Sequence, residues 1–167
     1  MTNELIALIA NLALTLSFIV ALVFGIAQVK STGRDRRERL TLETLRIFQT
    51  REFAELAIYI NTHDMPLDFK EMQALPANEQ AILFQFAQQM ETLGMLVAER
   101  LIDIGLVDKT LGSFVTTTWE KYKIMFLDIR ENQPDPFLGE YFQWLAEEIK
   151  EQMQKSPREP FYKTSKK

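Results

Sequence analysis

Apolar positions divide the chain into one uninterrupted apolar stretch and a longer part with helical periodicity. Residues 5–29 carry no charged side chain. A helix of about 20 apolar residues crosses the hydrocarbon core of a bilayer, so this stretch predicts a transmembrane helix. A cleaved signal peptide would have a basic start and a shorter apolar region, whereas this chain starts MTNE. We therefore expect a retained anchor rather than a signal peptide or the core helix of a soluble protein.

After residue 40, apolar residues recur at spacings of three and four, and no alternating strand pattern persists. This periodicity predicts amphipathic helices. The predicted fold class is all-α: an N-terminal transmembrane helix followed by an antiparallel cytoplasmic bundle of about four helices. Positions expected in the core include Leu42, Phe86, Leu101, Trp119, Tyr122, Phe142 and Trp144.

Capping and breaking residues set the expected helix ends. The first helix of the bundle should end at NTHDMP, and Asp68 should cap a short helix before Pro76 opens the next one. That long helix is expected over 77–104, and a second long helix should run from about residue 111 to ENQPDP. The last helix should begin at Pro136.

Charge is distributed unevenly along the chain. Residues 40–154 carry 9 Lys and Arg against 19 Asp and Glu, a net charge of −10, whereas both flanking segments are basic. The expected organisation is an anchor (1–29), a basic juxtamembrane segment (30–40), an acidic helical bundle (41–154) and a basic flexible tail (155–167). An acidic body disfavours nucleic acid as a partner.

Basic residues follow the apolar stretch and are absent before it. The residues expected to face membrane lipid are Lys30, Arg34, Arg36, Arg37 and Arg39. The positive-inside rule then places the C-terminal part in the cytoplasm and the N-terminus outside the cell inner membrane, as a single-pass protein.

Small residues recur every fourth position within the apolar stretch, at Ala13, Ser17, Ala21 and Gly25. Such a stripe lets two helices approach closely in a membrane. It is equally consistent with the general abundance of small residues in membrane spans, so self-association and no role both stay open.

Candidate chemistry is sparse. The chain has no cysteine and a single histidine, His63, which we expect in a solvated turn. Neither G-x-x-x-x-G-K-[ST] nor G-x-G-x-x-G occurs. We therefore predict no catalytic residue, no metal and no cofactor. The acidic residues Glu91, Glu99 and Asp103 form the one carboxylate group to consider, and we favour a structural ion pair of Glu91 with Arg130 or Arg100.

The stretch ETLGMLVAERLIDIGLVDKTLGSFVTTTWEKYKIMFLDIREN, followed by PFLGEYFQWL, resembles a bacterial family of uncharacterised single-span membrane proteins, known only as a domain of unknown function. The shared positions are Glu91, Gly94, Asp103, Trp119 and Arg130, which are candidate structural or interaction residues. The resemblance implies one N-terminal span and a helical cytoplasmic part. The chain departs from the family pattern at Glu99-Arg100, where a smaller residue, often Gly, is expected.

These observations favour a membrane-tethered interaction or regulatory protein that recruits a protein partner at the cytoplasmic face. The alternative is a small accessory subunit or homo-oligomer of a membrane complex. An enzyme that uses carboxylates is a third hypothesis, and the missing histidines and glycine-rich loops make it less favoured.

Overall fold

The computed structural model describes residues 2–132 and 135–164, and within these ranges the chain is helical without any strand. The helices are α1 (Thr2–Ile47), α2 (Arg51–Thr62), α3 (Phe69–Ala74), α4 (Ala77–Ala98), α5 (Ile104–Asn132), α6 (Glu140–Lys155) and α7 (Phe161–Thr164). The predicted all-α class is confirmed. Two residues of ENQPDP (133–134) and the last three of the predicted tail (165–167) lie outside the described residues.

The chain divides into two units, Met1–Arg39 and Leu40–Lys167. In the first unit, α1 exposes every side chain from residue 3 to residue 36. The hydroxyl group of Thr15 donates to the carbonyl oxygen of Asn11 at 2.8 Å, so this polar group is satisfied within the helix. Within the described residues, α1 is the one helix long and apolar enough to cross a membrane.

In the second unit, the predicted first helix of the bundle is broken between Ile47 and Arg51. The side chain of Thr50 accepts a hydrogen bond from the backbone N–H of Phe53 at 3.2 Å and caps α2. The apolar spacing continues across this break, so it predicted one helix where the structure has two. The predicted end at NTHDMP agrees with the end of α2 at Thr62.

The capping residues of α3 and α4 are as predicted. The side chain of Asp68 accepts from the backbone N–H of Glu71 at 2.7 Å and begins α3. Pro76 directly precedes α4. Both signals are local in sequence, and local hydrogen bonding is enough to fix them.

The predicted helix over 77–104 was too long, because α4 ends at Ala98. Arg100 adopts a left-handed backbone conformation, with φ 58°. The backbone N–H of Arg100 donates to the carbonyl of Val97 at 2.9 Å, and that of Leu101 to the carbonyl of Leu96 at 3.0 Å. These two bonds form the Schellman arrangement that ends helices, in which glycine usually takes the left-handed position.

The start of the last long helix also differs from the prediction. The turn before α6 includes Pro136, and α6 begins at Glu140. Asp135 accepts a hydrogen bond from the backbone N–H of Phe137 at 3.1 Å, within that turn. Gly139 precedes α6 with φ 69° and supplies no capping side chain. The amides at the start of α6 therefore need partners from elsewhere in the fold.

The core of the second unit forms where α6 packs against α4 and α5. Its fully buried large side chains include Phe86, Tyr122, Phe126, Phe142, Leu145 and Ile149. Three residues predicted to lie in the core are exposed instead: Leu42, Leu101 and Trp144. Leu101 is exposed because it lies beyond the early end of α4. The antiparallel order of a four-helix bundle stays a prediction.

Candidate functional site

The start of α6 brings together three of the five residues that the family resemblance singled out. Glu91, in the middle of α4, accepts hydrogen bonds from the backbone N–H groups of Tyr141 (Oε1, 3.2 Å) and Phe142 (Oε2, 2.9 Å). A carboxylate at a helix N-terminus pairs the free amides and interacts favourably with the helix dipole. Glu91 therefore caps a helix fifty residues away in the sequence.

Glycine allows the helices to approach closely at this point. A Cβ atom on Gly94, one turn after Glu91, would overlap the carbonyl oxygen of Tyr141. A Cβ on Gly139 would lie 2.6 Å from the ring of Phe126, and the positive φ of Gly139 itself favours glycine. Any larger side chain at either position would push α6 away from the carboxylate that caps it.

Arg130 holds the other side of the turn that leads into α6. Its Nε donates to the carbonyl oxygen of Leu138 at 2.7 Å and its Nη1 to the side-chain oxygen of Gln143 at 2.6 Å. We name Glu91, Gly94, Arg130 and Gly139 the α6 junction. The predicted ion pair of Glu91 with Arg130 or Arg100 was wrong, because the carboxylate satisfies backbone amides and the guanidinium satisfies a carbonyl and an amide oxygen.

Trp119 lies in the aromatic core beneath the α6 junction. Its ring centroid is 5.2 Å from that of Phe142, at an edge-to-face angle, and 5.7 Å from that of Phe126. Tyr122 is fully buried beside Phe86, and its hydroxyl group has no hydrogen-bond partner among the described residues. Burial raises the pKa of Tyr122 far above its usual value.

Asp103, the fifth of these residues, is engaged at a different helix end. Its side chain accepts from the backbone N–H of Leu106 at 3.0 Å and caps α5. Its own N–H donates to the hydroxyl of Thr41 at 2.9 Å, and Thr41 is fully buried. Gly105, which directly follows the helix predicted over 77–104, lies in the first turn of α5. Asp103 thus ties the α4–α5 loop to the last turns of α1.

Two of the carboxylates singled out from the sequence are engaged at separate helix ends. Glu91 and Asp103 each bond to the amides of a different helix. His63 is exposed at the end of α2, where its ring stacks on Tyr59 at 4.0 Å. Among residues 2–132 and 135–164, no three His, Cys, Asp or Glu side chains lie close enough together to hold a metal ion. The hydrogen bonds that Glu91 and Asp103 accept from backbone amides stabilise helix ends.

On α1, the small residues Ala13, Ser17, Ala21 and Gly25 are all exposed, and nothing lies within 4 Å of a Cβ built on Gly25. The basic residues after them are exposed as well, except for the half-buried Arg37. One of these bases, Arg34, donates to Glu38 at 2.8 Å. The four small-residue positions are therefore accessible to lipid or to a second helix.

The α6 junction lies within the part of the chain that a family model matches. The model of the Domain of unknown function (DUF4760) matches residues 14–149. The chain belongs to this family. The DUF4760 match begins within the apolar part of α1 and includes the whole α6 junction, and it ends within α6. No curated protein and no solved structure matches the chain.

Several contacts of the DUF4760 domain were absent from the sequence prediction. Tyr59 donates from its hydroxyl to Glu79 at 2.7 Å, and burial together with this bond raises the pKa of Tyr59 to about 12. Lys121 donates from Nζ to the carbonyl oxygen of Ile60 at 2.9 Å, near the end of α2. A base beside terminal helix carbonyls is a known capping signal, but the sequence does not say which helix a distant base reaches.

Arg158 makes a further contact that the sequence did not predict. Its Nη1 lies 3.3 Å from Oδ2 of Asp108 on α5, so the segment after α6 contacts α5. The predicted tail therefore includes at least one residue with a defined partner. Sequence spacing gave no signal for this pair, because fifty residues separate the two side chains.

Proposed function

We propose that this protein is a membrane-tethered helical protein that recruits a protein partner at the cytoplasmic face. It is a single-pass protein of the bacterial inner membrane, with the N-terminus outside. The observation that carries the proposal is the exposure of α1, which leaves fifteen large apolar side chains between residues 5 and 29 in contact with solvent.

The energetics of that helix support a permanent anchor. Burial of one large apolar side chain contributes roughly 1.5–3 kcal/mol. Moving fifteen of them into hydrocarbon therefore contributes on the order of 20–45 kcal/mol, more than the roughly 5–15 kcal/mol that keeps a typical domain folded. The unit Leu40–Lys167 has a hydrophobic core of its own.

The basic segment after the anchor sets the orientation and contacts lipid. Bases near an anionic leaflet contribute about 1 kcal/mol each. The segment carries five of them between residues 30 and 39, so it holds the following turns of α1 at the cytoplasmic surface. The acidic second unit is repelled by the same leaflet and stays available to a protein partner.

The second unit suits recruitment rather than catalysis. Two residues that the resemblance singled out, the carboxylates Glu91 and Asp103, accept hydrogen bonds from backbone amides and stabilise helix ends. A rigid helical unit with a net charge of −10 between residues 40 and 154 offers a surface for a partner with basic residues.

Orientation and recruitment are tested separately. A fluorescent protein that folds only in the cytoplasm, fused after Lys167, should be bright, and the membrane fraction should retain the full chain after a carbonate wash. Purification in mild detergent should recover a second protein with the wild-type chain. Recovery of the chain alone in repeated preparations would count against recruitment, and a dark fusion would refute the orientation.

A second function is supported by the small-residue stripe. An accessory subunit or homo-oligomer of a membrane complex would use Ala13, Ser17, Ala21 and Gly25 for close helix contact. Replacing both Ala21 and Gly25 with Leu should then abolish association in the membrane. Ala27→Leu is the control, because it adds the bulk of a leucine at a position about 120–160° around the helix from these two positions. Equal association of both variants would remove the stripe from consideration.

A further inference from the structure

We propose that the exposed face of α4 is the surface through which two copies of this chain associate. We name it the neutral face. Its members are the exposed residues of the helix: Ala77, Asn78, Ala81, Phe84, Gln85, Gln88 and Thr92. They fall within about 120° of the helix circumference and extend over roughly 22 Å along its axis. None of them carries a charge.

The absence of charge is unusual for a solvent-facing helix. The outer face of such a helix normally carries charged residues, as α5 and α6 do at Lys109, Glu131 and Glu147. In α4 the two charged residues are both half-buried and both bonded. Glu79 accepts from the hydroxyl of Tyr59, and Glu91 accepts from the amides of α6. The neutral face therefore lacks the charged residues that a solvent-facing helix surface usually carries.

The neutral face has the relief that helix packing requires. A groove of about 310 Å³ lies between α4 and the last turn of α1, where Ile47 and Phe48 form the far wall. A second groove of about 300 Å³ lies between α4 and the turn before α6, with Leu138 in its far wall. Gln88 and Thr92 border both grooves and form the ridge between them. Helices pack by fitting such a ridge into the groove of a partner.

Charge favours a second copy of the chain as the occupant. Two acidic units repel one another, and the repulsion is weakest where the contact surfaces carry no charge. A basic partner would instead be drawn to the acidic surface of the other helices. The neutral face is thus suited to the approach of an identical acidic unit.

The side-chain chemistry of the neutral face is complementary to itself. A two-fold interface places the same patch on both copies, so each group must be able to bind its own kind. Glutamine meets this condition because its amide both donates and accepts hydrogen bonds. Next to the face, in the wall of the first groove, Oε1 of Gln89 is buried and has no hydrogen-bond partner among the described residues. If the Gln89 side chain rotates into the groove, this oxygen can accept a hydrogen bond from a glutamine amide of a second copy.

The proposal does not depend on recruitment of another protein, and it draws on the membrane anchor only as a source of high local concentration. Cross-linking provides the first test, because the chain has no cysteine of its own. Gln88→Cys is introduced in the full chain in mild detergent, and diamide is added as the oxidant. Thr117→Cys, at an exposed position of α5, is the matched control.

A two-fold axis near the middle of the neutral face brings the two Gln88 positions together. Disulfide-linked dimers should therefore form at least several times faster with Gln88→Cys than with Thr117→Cys. Equal rates for the two variants would refute the proposed face, since random collisions cross-link any exposed cysteine.

Charge insertion provides the second test. Gln88→Glu places two like charges close together in the dimer, and the dimer dissociation constant measured by analytical ultracentrifugation should rise by about tenfold or more. Thr117→Glu adds the same charge on α5 and should leave the constant unchanged within about twofold. Circular dichroism of each variant checks that the fold is intact.

Three results would overturn the proposal. The wild-type chain could stay monomeric at every concentration tested. Dimers could be weakened by the Ala21 and Gly25 replacements but not by Gln88→Glu, which would assign association to the membrane span. A different protein could bind a monomeric chain and be lost with Gln88→Glu, which would give the neutral face to another occupant. Loss of partner co-purification alone would affect only the recruitment proposal.

Discussion

Replacement of Glu91 by Ala tests whether one carboxylate on α4 supports the start of α6. The change removes the acceptor of two backbone hydrogen bonds, from Tyr141 at 3.2 Å and Phe142 at 2.9 Å. Gly139 supplies no side-chain cap, so no other described side chain accepts from these amides in place of Glu91. We expect the start of α6 to lose its cap while its apolar packing against α4 remains.

The magnitude is set by the two bonds. Hydrogen bonds to a charged group contribute about 1.5–3 kcal/mol each, and the helix dipole adds about 0.3–1 kcal/mol. Water reaches the half-buried site after truncation, so we take about 3 kcal/mol as the loss in the free energy of unfolding. For a unit of roughly 130 residues this lowers the melting temperature by about 10–15 °C. Glu91→Gln keeps one acceptor oxygen and should lose about half as much.

The assay is thermal unfolding of the full chain in mild detergent, followed by tryptophan fluorescence. Trp119 reports on the packing of α6, because its ring contacts Phe142. Glu140→Ala is the matched control, since it removes the same charge from the exposed first turn of α6. If Glu91→Ala destabilises the protein no more than Glu140→Ala does, the capping role of Glu91 is refuted.

Three further variants test particular contacts by the same melting assay. Tyr122→Phe should leave stability unchanged or raise it by up to about 1 kcal/mol, because it removes a buried hydroxyl without a described partner. Arg100→Gly should raise stability by about 0.5–1 kcal/mol, since glycine adopts the left-handed conformation without strain. Gly94→Ala should lower stability by about 3 kcal/mol or more, because the added methyl group overlaps a backbone carbonyl oxygen.

Each of these variants has a control in the same chain. Tyr59→Phe removes a bonded hydroxyl and should destabilise by about 1 kcal/mol, unlike Tyr122→Phe. Arg100→Ala should give none of the gain of Arg100→Gly, because alanine is as strained there as arginine. Gly33→Ala adds a methyl group in open space and should not destabilise. Matching results within any of these pairs would contradict the corresponding explanation.

Local signals in the sequence predicted the parts of the fold that depend on neighbouring residues. Asp68 and Pro76 mark helix starts by bonds and backbone restrictions within one turn, and the structure has both. The end of α4 was missed because the left-handed position that usually takes glycine is occupied by arginine. The resemblance led us to expect a smaller residue, often Gly, at Glu99-Arg100, and a glycine there would have signalled the end of the helix.

Three residues of the α6 junction, Glu91, Gly94 and Arg130, could be named from the sequence, but Gly139 and the partners of these residues could not. A carboxylate in the middle of an amphipathic helix predicts an ion pair, since a buried charge needs a counter-charge or hydrogen bonds. Whether a counter-charge or hydrogen bonds satisfy the carboxylate depends on which groups lie opposite it in the fold. Here the start of α6 lies opposite Glu91, and its unpaired amides take the place of a guanidinium.

The sequence by itself determined the helical class, the exposed apolar helix at the N-terminus and the acidic character of residues 40–154, because these depend on composition and on periodicity along the chain. The tertiary structure alone decided which helix end Glu91 caps, which carbonyl Arg130 holds and that the outer face of α4 is free of charge. These properties depend on contacts between residues far apart in the chain, and pairwise geometry of that kind leaves no trace in local spacing.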